Sequence, residues 1–67
     1  MMMRDYSTDR YSTRREHDGS WTIFDLFTGF AADYHGRPTT LMDEDGSKSL
    51  CIVMNALDKH RRRQTSK

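Results

Sequence analysis

One cysteine, one proline and four glycines occur among 67 residues, and hydrophobic residues make up only 34% of the chain. Each shortage excludes something. The lone Cys51 cannot close an internal disulfide, so the staple that holds many secreted mini-domains together is ruled out and a reducing compartment is expected. No apolar run approaches the roughly 18 residues of a membrane span. The start Met1-Met2-Met3-Arg4-Asp5-Tyr6 lacks the apolar stretch of a secretory signal, so the expected location is the cytosol. A chain this short has room for one core at most, near the size limit at which burial offsets conformational entropy.

Chemical motifs are equally scarce. Phosphate-cradling glycine loops and the G-x-S-x-G nucleophile turn are missing. His17, His35, His60 and Cys51 show no paired metal-ligand spacing and read as three surface imidazoles and a small core thiol. Asp43-Glu44-Asp45-Gly46 fails as a calcium loop, because aligning the glycine puts Leu41 at the first ligand position and Ile52 at the last. A core of one hairpin and one helix can hardly enclose a water-free site either. The expectation is therefore a non-enzymatic protein with no cofactor, no metal and no small-molecule substrate.

What is present is segregated charge. Residues 1–20 balance to zero, residues 21–45 carry −4, and residues 46–67 carry +5. An acidic middle followed by a basic end can steer a partner or orient two copies of the chain.

Residues 1–18 are polar and mixed in charge, with no periodic apolar positions, and are expected to form a disordered, solvated tail. Asp18-Gly19 signals a turn into Trp21-Thr22-Ile23-Phe24-Asp25-Leu26-Phe27, the best strand in the sequence. Thr28-Gly29 supplies a reversal, Phe30 to Tyr34 a weaker return strand, His35-Gly36 another turn, and Arg37 to Leu41 a short edge segment that tolerates Pro38. Asp43, with Ser47 as alternative, caps a helix over about Glu44 to Arg62. Leu50, Val53, Met54 and Leu57 form its apolar stripe, widened by Cys51, Ile52 and Ala56. Gly46 weakens the first turn by up to about 1 kcal/mol. Residues 64–67 should fray.

The expected fold is thus α+β and ββα-like: a hairpin over about Trp21 to Tyr34, with an optional third short strand, packed on one C-terminal amphipathic helix. The single domain spans residues 19–63, with Trp21, Ile23 and Leu57 as core anchors. The pattern Trp21-Thr22-Ile23-x-Asp25-x-x-Thr28-Gly29, followed by the His35-Gly36-Arg37-Pro38 turn and a terminal amphipathic helix, resembles short bacterial proteins of uncharacterised function with a W-T-[IV]-x-D-x-x-T-G hairpin. That resemblance spans about residues 19 to 60, implies the same layout, and assigns no functional residue.

Both faces of the first strand carry apolar groups, and one helix covers one face. Trp21, Phe24, Leu26, Phe27 and Tyr34 are therefore the candidate interaction face of a small regulatory or adaptor protein that forms a homodimer. The alternative is a nucleic-acid-binding accessory protein, with Lys59, Arg61, Arg62 and Arg63 at the basic helix end neutralising phosphates.

Overall fold

The computed structural model describes residues 8–65. Expectations for residues 1–7 and 66–67 lie outside the described residues. Five elements follow in order: β1 Tyr11–Arg15, β2 Trp21–Asp25, β3 Asp33–Tyr34, β4 Arg37–Pro38 and α1 Glu44–Thr65. Two small antiparallel strand pairs pack with one C-terminal helix, an α+β fold.

The first pair corrects the expected tail. Residues 11–15 form β1, antiparallel to β2, with Tyr11 opposite Asp25, Thr13 opposite Ile23 and Arg15 opposite Trp21. Opposed residues share a face of the sheet, so Tyr11 and Thr13 join Ile23 on the side that meets the helix. The alternation was masked by Ser12 and by Arg14 and Arg15, whose charged heads sit at an exposed edge. Asp18-Gly19 does make a turn, but one that joins β1 to β2: Gly19 adopts φ +87° and the Asp18 carboxylate accepts from both the N–H and the hydroxyl of Ser20.

The chain does reverse after β2, where Gly29 donates to the Asp25 carbonyl at 2.7 Å. The return run then contacts the second edge of β2 only in fragments. Asp25 N–H donates to Phe30, Ile23 accepts from Ala32, Ile23 N–H donates to Thr39, and Trp21 exchanges two bonds with Met42. Between these fragments the chain loops out as β3 and β4, joined by His35 and Gly36, both at positive φ. Two such residues between paired strands make a turn whose twist suits a hairpin. Buried Thr39 ties the fragments together, its hydroxyl lying 3.0 Å from both the Ile23 and the Ala32 carbonyls.

Helix α1 starts as expected. Asp43 accepts from the N–H of Gly46, as an N-cap should, while Ser47 is buried in the first turn with its hydroxyl on the Glu44 carbonyl. Gly46 has a local reason: a Cβ there would stand 2.5 Å from Oδ1, the second oxygen of the capping Asp43 carboxylate.

The core consists of Ile23, Ala32, Cys51 and Met54, with Tyr11, Tyr34, Met42 and Leu50 packed against it. Ile23 anchors it with no exposed surface. Trp21 is only half-buried and Leu57 is 46% exposed, so neither is the core anchor expected of it. The cause is rotation of the helix. Its buried row is Ser47, Cys51, Met54, Asn55 and Asp58, roughly a quarter turn away from the stripe of Leu50, Val53, Met54 and Leu57.

Candidate interaction surface

Polar side chains turn the helix this way. The amide of Asn55 lies against the backbone of β1: its oxygen accepts from the N–H groups of Arg10 (3.0 Å) and Tyr11 (2.8 Å), and its nitrogen donates to the Tyr11 carbonyl at 3.0 Å. In effect the side chain takes the place of a neighbouring strand. One turn further on, Asp58 is buried with 2% of its surface exposed and pairs with Arg62 at 2.8 Å and Arg10 at 3.4 Å. Arg10 also reaches Asp25, at 3.0 Å through both Nε and Nη2. One guanidinium therefore clamps carboxylates from the sheet and the helix.

The ring of Phe27 lies beneath both cations, 5.3 Å from the Arg10 guanidinium carbon and 5.7 Å from that of Arg62. Burial alone would push the Asp25 carboxyl up. The Arg10 hydrogen bond and the N–H of Phe27 outweigh burial and hold it below its ordinary value. The same bond to Asp25 raises Arg10 further above its already high value. Cys51 is shifted up by burial and is a packed thiol, not a reactive one.

With its polar side turned in, α1 carries apolar groups outward. Ile52 is 70% exposed, Val53 44% and Leu57 46%, and Ala56 is exposed between them. Ser49, Val53, Ala56, His60 and Arg63 follow one another at intervals of four, three, four and three residues along the solvent side. That is the spacing of a seam that meets another helix. The first turn of α1 is acidic, with Glu44 and Asp45, and its last turn is basic, with Arg62 and Arg63.

The residues read from the sequence as an interaction face do not gather on one surface. Trp21 is half-buried, bridged to Met42, with the Lys48 ammonium 5.1 Å from its ring. Phe24 is half-buried beneath the Arg14 guanidinium, and Tyr34 packs against the core with its ring edge-on to His35. Leu26 and Phe27 are exposed in the loop after β2, followed by Phe30. Of the basic residues, Lys59 binds Asp9 at 2.7 Å and Arg62 binds Asp58, so these two proposed phosphate contacts already hold carboxylates. Arg61 lines a small cavity of about 170 Å³ with Tyr11, Asp33, Tyr34, His35, Met54 and Leu57. Arg63 borders an open groove with Asp9, Ile52, Asn55, Ala56, Lys59 and His60, along the flank of the outward helix face.

The outward face was missed because apolar residues on a lone helix are assigned to the core by default. The signal was available: α1 has more apolar positions than one face needs. Among the described residues no group of three or more His, Cys, Asp or Glu side chains could hold a metal ion, and no helix is long and apolar enough to cross a membrane. No family model matches the chain, and no curated protein or solved structure gives a significant match. The functional reading rests on geometry alone.

Proposed function

We propose that this chain is a non-enzymatic protein–protein interaction module, a small regulatory or adaptor protein, and that it self-associates. The observation that carries this reading is the inverted helix. Ser47, Asn55 and Asp58 are buried while Ile52, Val53, Ala56 and Leu57 face solvent. Apolar side chains contiguous on one exposed face mark a surface that another protein covers. The carboxylates already bound by Lys59 and Arg62 lessen the attraction of the basic end for phosphates, so the nucleic-acid reading is the weaker one.

Sedimentation equilibrium between about 5 and 500 μM tests self-association, since a modest interface dissociates in that range. A mass that rises with concentration and is insensitive to added salt supports the reading. A mass staying at 7.9 kDa throughout, with the fold intact by circular dichroism, removes self-association from it.

A further inference from the structure

Resting on that reading, we infer that the partner is a second copy of this chain, docked through the solvent face of α1 with the two helices antiparallel. Three features of the helix point to one arrangement. First, the exposed apolar strip Ile52 to Leu57 lies at the midpoint of Glu44–Thr65, so a two-fold axis there brings each strip onto its own image. Second, the pairing is complementary in size and character: Val53 meets the partner's Ala56, Ser49 meets the partner's His60, and on the two flanks Ile52 lies beside the partner's Ile52 and Leu57 beside the partner's Leu57. Large against small at the centre allows close approach of the two axes. Third, the ends match in charge, because an antiparallel pair sets Asp45 of the acidic first turn beside Arg63 of the basic last turn of the other copy. A parallel pair would instead set acid beside acid and base beside base.

The spacing of the seam agrees with this arrangement. Ser49, Val53, Ala56, His60 and Arg63 advance by 3.5 residues on average, the repeat of two helices that stay in contact along their length. A helix of 22 residues is about 33 Å long, and its sheet covers only the opposite side. Packing two copies gives sheet, helix, helix and sheet in layers, with the apolar strips removed from water at the centre.

Two experiments test the inference on the full chain. In sedimentation equilibrium, Val53→Glu should weaken the dimer at least about tenfold, because it buries a carboxylate on the axis. Leu26→Ser and Phe30→Ser, in the exposed loop after β2, should leave it unchanged. A mixture of isotope-labelled and unlabelled wild-type protein should show intermolecular nuclear Overhauser contacts between the methyls of Val53 and Ala56. Contacts linking Val53 to Val53 and Ile52 to Leu57, without Val53 to Ala56, indicate parallel helices and overturn the arrangement. A wild-type dimer that Val53→Glu does not weaken, or whose contacts involve Leu26 and Phe30, overturns the surface while leaving self-association standing. A wild-type protein monomeric at all concentrations overturns both.

Discussion

The two sides of α1 invert the usual distribution. Its inner side meets the sheet through a serine, an asparagine and an aspartate as well as Cys51 and Met54, while its outer side carries isoleucine, valine, alanine and leucine. Inner polar groups contribute direction: Asn55 fixes the helix along β1 and Asp58 fixes its rotation through Arg10. Outer apolar groups contribute little to a lone monomer, since area exposed to water has stabilising value only when something covers it. The fold of one copy and its proposed association thus lie on opposite sides of one helix.

Substitutions should separate the two sides, and the inner one should dominate stability. Asp58→Ala strips a buried carboxylate from two arginines and should cost about 3 to 5 kcal/mol, enough to unfold most molecules of so small a domain; urea denaturation at low micromolar concentration reads this directly. Asn55→Ala leaves the Tyr11 N–H and carbonyl without their partner and should cost about 1 to 3 kcal/mol by the same measurement. It should also raise amide exchange at Tyr11 above that of Ile23.

Acid should act on the inner side through Asp25. Asp25 has a lower pKa folded than unfolded, so its stabilisation is complete above the unfolded value of about 3.9 and is lost as pH falls below it. Fluorescence of Trp21 during acid titration should show unfolding that begins near pH 4, and Asp25→Asn should flatten that dependence.

How much of this was legible beforehand follows the same division. Local signals were readable: the Asp18-Gly19 and His35-Gly36 turns, Ile23 as an anchor, and Asp43 as a cap are all decided by neighbours in sequence. β1 was not, because its residues acquire alternation only when opposed to β2, and Tyr-Ser-Thr-Arg-Arg alone looks like any polar stretch. Helix rotation was not legible either. Apolar periodicity assumes that burial goes to apolar side chains, and that assumption fails when a distant arginine, 48 residues away at position 10, binds Asp58. The candidate surface shared this fate, since its location depends on the rotation.

A finer contrast lies at the start of the helix. Gly46→Ala should change stability little by itself, because the gain of about 1 kcal/mol in helix propensity is offset when the new methyl displaces the Asp43 carboxylate from its cap. In an Asp43→Ala background the same change should stabilise by about 1 kcal/mol, so a double-mutant cycle in urea reports the coupling. Smallest of all should be the outer side: Leu57→Ala measured below the dimer range should cost under about 0.5 kcal/mol. A loss of several kcal/mol there would restore Leu57 to the core and break the contrast.

Asn55 has one more consequence. A strand at the margin of a sheet is a template onto which stray chains can crystallise, and β1 is such a margin. By hydrogen-bonding both backbone groups of Tyr11, the helix amide occupies the first rung of that ladder and leaves only Thr13 and Arg15 beyond it. Fibre growth needs longer uninterrupted templates, of six or seven residues. One asparagine therefore covers the rung at which a stray chain would begin to stack.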